Sequence, residues 1–188
     1  ADVIFNGTVV TEYHNYPNRN EINRVYTGGK YAIVDPVFSK YKWKGIKSPS
    51  SLCVVAGGGV RALNWVEFLV SGKIDYSKLD RINLIVGQSY PDFEKIKARA
   101  EKIGIFAYKG LSSDKLAEIL SESSIGLITG GMILYEVAIL ALPTIIFPQE
   151  KNLEVEAQFF GQIKSMHNLG YHGGFDARMV NTSIAKLL

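Results

Sequence analysis

The chain has 188 residues, 47% of them hydrophobic and 21% charged, with a formal net charge of +3; at about 100–200 residues per domain, this is one globular domain with room for a short arm or tail. No stretch reaches the roughly 18–20 uninterrupted apolar residues of a membrane span, because Gly130, Gly131, Glu136 and Pro143 break the most apolar region, 125–147, and a small positive excess spread along the chain argues against a nucleic-acid-binding face. The single cysteine, Cys53, lies inside an apolar run; it excludes an internal disulfide framework and a cysteine-based zinc cluster, and its expected role is a small core residue.

The chain starts at Ala1 with no signal-peptide pattern and is read as beginning inside a longer protein. One thiol fits a reducing cytoplasm, so the expected location is cytoplasmic, and the sequons at Asn6 and Asn181 are short patterns that arise by chance. Residues 1–51 carry no clear period: an apolar run at Val3–Phe5, an Asn-rich polar stretch Thr11–Arg24, then Tyr31–Phe38 and the loop Lys42–Ser51. From Leu52 the pattern turns regular. Short apolar runs, Leu52–Ala56, Ile82–Val86, Ile105–Tyr108, Ile125–Thr129 and Thr144–Phe147, alternate with stretches of helical spacing.

Ala62–Val70 and Met132–Leu142 are apolar nearly all round, as for helices packed on both sides. In Pro91–Ile103 the apolar Phe93, Ile96, Ala100 and Ile103 recur three and four apart, with Pro91 suited to the first turn and Gly104 to the end. Leu116, Ile119 and Leu120 mark another amphipathic helix after the cap candidates Ser112 and Ser113. The expected fold is α/β, a doubly wound, Rossmann-like parallel sheet with right-handed crossovers and strand order 3-2-1-4-5. Three segments are expected: 1–24, the end of a preceding domain or an interdomain connection; 25–175, the ligand-binding domain; and 176–188, a closing helix that begins near Phe175.

That strand order puts the switch point between the first and fourth strands of the regular region. The two most glycine-rich turns, Ala56-Gly57-Gly58-Gly59 and Thr129-Gly130-Gly131-Met132, then leave adjacent strands at their carboxyl ends, where open α/β sheets bind ligands. Glycines there bring backbone N–H groups close to an anion, and helix N-termini near Val60 and Met132 add partial positive charge. A phosphate or diphosphate is the implied ligand. Arg61, Lys109 and Lys151 stand at predicted strand ends and could neutralise it, while Asn64, Gln149, Glu150 and Asn152 are polar groups on the same rim. Solvated charge is the commoner explanation for any one of the three cations.

Gly57, Gly59 and Ala62 satisfy the G-x-G-x-x-A dinucleotide pattern, yet the end of the second strand reads Val86-Gly87-Gln88-Ser89 and lacks the acidic residue that holds a ribose there. Nicotinamide binding is therefore disfavoured, as is an NTPase, since no Walker sequence is present. His14, His167 and His172 show no metal spacing, and no serine sits on a G-x-S-x-G elbow. Glu136 stands out. It lies within an apolar helix, where a buried carboxylate needs hydrogen-bond donors such as the two hydroxyls of a ribose; a partly exposed helical stripe would also accommodate it.

Ile125-Gly-Leu-Ile-Thr-Gly-Gly-Met-Ile-Leu-Tyr-Glu136, followed by Ala141-Leu-Pro-Thr-Ile-Ile-Phe147 and Asn152, resembles the carboxyl-terminal domain of GT-B nucleotide-sugar enzymes. The likeness is nearest to the UDP-sugar hydrolase of pseudaminic acid synthesis and its spore-coat polysaccharide relatives, and more distant to the peptidoglycan N-acetylglucosaminyltransferase. Tyr31-Ala-Ile-Val-Asp-Pro-Val-Phe38 and Gly58-Gly59 with Asn64 extend it over roughly residues 25–173. The resemblance implies a donor-binding half of a hydrolase or glycosyltransferase that needs no cofactor and binds a UDP-sugar. An N-terminal acceptor domain, of the same or a partner chain, would supply the hydrolytic histidine, so this half is expected to be inactive alone.

It also implies Gly58, Gly59, Gly131 and Met132 at the diphosphate, Glu136 at the ribose, the backbone near Leu111 at the uracil and Asn152 on the sugar side. Met132 and Ile133 replace the family's small hydroxyl residues, Arg61 replaces an Asp, and Leu153 replaces a Gln. The other readings are a separate subunit of a two-chain glycosyltransferase, and a non-catalytic nucleotide-binding or partner-docking module that uses Leu134–Leu142.

Overall fold

A computed structural model describes residues 2–16, 24–46, 50–60, 62–171, 174 and 176–188. Arg61, His172 and Phe175, singled out above, lie outside the described residues. The chain divides into two compact units, Ala1–Asp35 and Pro36–Leu188.

In the first unit, β1 (Val3–Asn6) pairs in parallel with β2 (Arg24–Thr27), and the Gly28 N–H extends the ladder to the Asn6 carbonyl at 2.9 Å. The ring of Phe5 stacks on Tyr26 with centroids 4.9 Å apart, and Tyr31 meets both. These strands hide no alternating face. Their contacts are aromatic and local, which is why the sequence shows no period here. Gly7 is required, because a Cβ there would stand 2.4 Å from the Ala32 Cα.

The second unit runs β3 (Ser51–Ala56), α1 (Ala62–Leu69), β4 (Arg81–Val86), α2 (Phe93–Glu101), β5 (Ile105–Lys109), α3 (Ser113–Glu122), β6 (Ile125–Ile128), α4 (Ile133–Leu140), β7 (Thr144–Ile146), α5 (Lys151–Phe160), β8 (Met166–Asn168) and α6 (Ala177–Leu187). Its six strands form one parallel sheet in the order β5-β4-β3-β6-β7-β8. The doubly wound sheet expected from the sequence is there, its order 3-2-1-4-5 intact, with β8 added at the edge. Alternation along β3 sends Leu52, Val54 and Ala56 into a core shared with Trp65 and Leu69 of α1, Ile96 of α2, and Val180 and Ile184 of α6. Cys53 points to the opposite face and is fully buried, which pushes its thiol up to about 12. A short 3-10 turn, Pro36–Lys40, carries buried Phe38 against α3 and α4.

Several boundaries differ from the sequence reading, each for a local reason. Pro91 is not in the first turn of α2: Asp92 takes a left-handed conformation at φ 46°, and the helix begins only at Phe93. Helix α4 stops at Leu140, not Leu142. Ala141 turns left-handed at φ 59°, and the Leu142 N–H reaches back to the Val137 carbonyl at 3.1 Å, a Schellman-type ending made without glycine. Ser112 caps α3 as expected, accepting from the Lys115 N–H at 3.3 Å. Among the described residues no helix is long and apolar enough to cross a membrane.

Candidate functional site

β3 and β6 are hydrogen-bonded neighbours, in register from Leu52↔Ile125 to Val55↔Ile128, while the chain leaves β3 for β4 on one side and reaches β7 on the other from β6. The glycine turns after β3 and β6 therefore rise side by side at the carboxyl edge, at the topological switch point. Both are open. A Cβ built on Gly57, Gly59 or Gly131 meets nothing within 4 Å. Gly130 and Gly131 hold successive positive φ values of 120° and 84°, which turns the backbone sharply into α4. No hydrogen bond among the described residues uses the N–H of Gly58, Gly59, Gly131 or Met132. Amides left in this way beside the starts of α1 and α4 are groups of the kind that bind an anion.

Gly58 serves packing as well. A Cβ there would stand 3.0 Å from the Gly87 Cα and 2.7 Å from Ser89 Oγ, and one on Gly87 would come within 2.7 Å of the Gly58 Cα. The loops after β3 and β4 thus touch backbone to backbone, which the sequence reading did not foresee. Gly58→Ala is expected to cost about 1–3 kcal/mol, whereas Gly59→Ala, which faces open space, should change stability by less than about 1 kcal/mol; thermal denaturation of the two variants checks this.

Glu136 sits in the first turn of α4 and is half-buried rather than enclosed, so the partly exposed stripe describes its setting better than a sealed pocket. Helix α4 is held against α5 by the Tyr135 hydroxyl, which donates to Glu156 Oε1 at 2.9 Å, and by an edge-to-face contact of Tyr135 with Phe160 at 5.0 Å. Asn152 and Lys151 are exposed in the first turn of α5, and Asn64 is exposed on α1. The Met132 side chain is 47% exposed at the mouth of the second turn. Leu153 covers Gly130, its Cβ 3.3 Å from where a glycine Cβ would lie, so the residue standing where the resembling family has Gln seals the turn with hydrocarbon.

Leu111 lies two sheet positions from β3, half-buried in the turn between β5 and α3, and Lys109 is half-buried beside it. The switch point thus sets the turns that carry Gly58, Gly59, Gly131 and Met132 on neighbouring strands, with Glu136 in the first turn of the helix after the second, Leu111 in the loop after β5 and Asn152 in the helix after β7. Gln149, in the loop between β7 and α5, has a buried Nε2 with no hydrogen-bond partner among the described residues, as has the buried hydroxyl of Tyr90, whose titration burial raises. Among the described residues no three His, Cys, Asp or Glu side chains are grouped to hold a metal.

The chain matches no protein-family model and no curated protein sequence. What the two turns offer is backbone N–H groups with no partner among the described residues, one carboxylate a helical turn away, and polar or backbone groups along the rim to either side.

Proposed function

We propose that the unit Pro36–Leu188 is the donor-binding half of a GT-B-type nucleotide-sugar enzyme, a UDP-sugar hydrolase or a glycosyltransferase of surface polysaccharide synthesis. One observation carries the reading: two glycine turns stand on adjacent strands, their amides at Gly58, Gly59, Gly131 and Met132 have no hydrogen-bond partner among the described residues, and the helix opened by the second carries Glu136. The diphosphate spans Gly58, Gly59, Gly131 and Met132; Glu136 accepts from the ribose hydroxyls, Leu111 meets the base, and Asn152 faces the sugar. Binding here is electrostatic and shape-based. As the resemblance implies, turnover depends on an N-terminal acceptor domain, of the same or a partner chain, that adds the proton-transfer group across the cleft.

Calorimetric titration with UDP, UDP-N-acetylglucosamine, CMP and NAD tests this. Uridine diphosphates are expected to bind in preference to CMP and NAD, and UDP-sugar to stay intact. Absence of heat with any uridine nucleotide up to millimolar concentration rejects the reading. The exposed thioether of Met132, which offers no donor where the resembling enzymes have a hydroxyl, favours a second reading as a non-catalytic nucleotide-binding module. That version is separated by adding the acceptor domain: nucleotide binding with no hydrolysis or transfer supports it.

A further inference from the structure

The loop between β4 and α2 has no part in the reading above, yet it stands on the carboxyl rim of the sheet between the loops after β5 and β3. A Cβ at Gly110 would lie 1.8 Å from Gln88 Oε1 and 2.9 Å from its Cδ, so the carboxamide of Gln88 rests on the bare backbone of Gly110. Gly110 adopts φ 61°, and its N–H donates to the Val86 carbonyl at 2.9 Å, which fastens the start of the β5–α3 turn to the end of β4. The next residue is Leu111. Neither its N–H nor its carbonyl takes part in a hydrogen bond among the described residues, and the same is true of the exposed amide of Gln88. Two contiguous loops therefore present a backbone donor, a backbone acceptor and a side-chain amide, all unspent.

Their order along the rim matters. β4 lies between β5 and β3, and neighbouring strands are about 4.8 Å apart. An extended nucleotide with its base at Leu111 and its diphosphate at the turns after β3 and β6 has to cross the β4 loop, and its glycosidic end passes beside Gln88. A pyrimidine dione offers an imide N–H flanked by two carbonyls. Leu111 can accept from the imide and donate to the distal carbonyl, which leaves the carbonyl next to the glycosidic bond facing Gln88.

We infer that Gln88 is a specificity-determining residue for the base, its Nε2 donating to the pyrimidine carbonyl nearest the ribose while Leu111 reads the imide edge. This rests on the nucleotide-binding reading above, and it adds a residue and a base class to it.

The test compares Gln88→Leu and Gln88→Glu with the unaltered chain, using UDP and inorganic pyrophosphate as titrants. Gln88→Leu is expected to weaken UDP by about 3–10-fold, the worth of one neutral hydrogen bond. Gln88→Glu should weaken it further, because a carboxylate oxygen then faces the base carbonyl. Pyrophosphate affinity should stay within about twofold in both, and since Gln88 is exposed, melting temperatures should not move. UDP binding unchanged in both variants overturns this inference alone, and so does an equal loss for pyrophosphate. A wild-type chain that binds no UDP overturns the nucleotide reading itself.

Discussion

Replacing Glu136 by Gln is expected to weaken UDP binding roughly 2–30-fold, because a hydrogen bond to an ionised partner contributes about 1.5–3 kcal/mol against about 1 for a neutral one. The exchange keeps the shape of the side chain and removes its charge. Helix α4 stays in place in this variant, held by Tyr135 against Glu156 and Phe160 on α5, so thermal stability should shift by less than about 0.5 kcal/mol. The decisive control is the 2′-deoxy nucleotide. If the carboxylate grips the ribose hydroxyls, the penalty of Glu136→Gln shrinks for dUDP, which already lacks one of them. Calorimetry on the four combinations gives the coupling directly. A penalty that is the same for UDP and dUDP would place Glu136 elsewhere than on the ribose, and no penalty at all would remove it from the site.

The parts of this fold that were legible share one physical property. β3, β4, β6 and β7 are covered on both faces, so they read as continuous apolar runs, and strand order follows from right-handed crossovers. The adjacency of the two glycine turns follows from that order. β8 was not legible, since Met166-His167-Asn168 is short and half polar at a sheet edge. The ends of α2 and α4 were misplaced because Asp92 and Ala141 take left-handed conformations that usually announce themselves with glycine. At the site, the sequence gives Gly58 as an anion-lining residue, but its close approach to Gly87 is a contact between loops that lie 29 positions apart. Gln88 over Gly110 is the same kind of pairing. The one signal for both was the clustering of glycine at strand ends, where backbones meet backbones as well as ligands.

Trp65→Ala should be the most damaging single change in the larger unit. Trp65 is 0% exposed, stacks on Phe68 with ring centroids 5.7 Å apart and meets Phe147 at 5.0 Å. Removing a buried tryptophan costs about 3–5 kcal/mol through lost burial and the cavity left behind, out of a total that is about 5–15 kcal/mol for a typical domain. At about 2–4 °C per kcal/mol for a chain of this size, the melting temperature should fall by roughly 6–20 °C. The consequence reaches the crevice through Phe147. Its N–H donates to the Ile128 carbonyl at 2.8 Å, pinning the end of β7 to the end of β6 one residue before the Thr129–Met132 turn begins. A Phe147 ring that has lost its neighbour holds that turn less firmly, so nucleotide affinity should drop along with stability, although Trp65 lies beneath the rim and touches no ligand. Trp65→Phe keeps an aromatic ring against Phe147 and should retain much of the affinity at a smaller loss of melting temperature. Circular-dichroism melts paired with UDP titration separate the two effects; a fall of less than about 3 °C in Trp65→Ala would mean that the core closes over the gap.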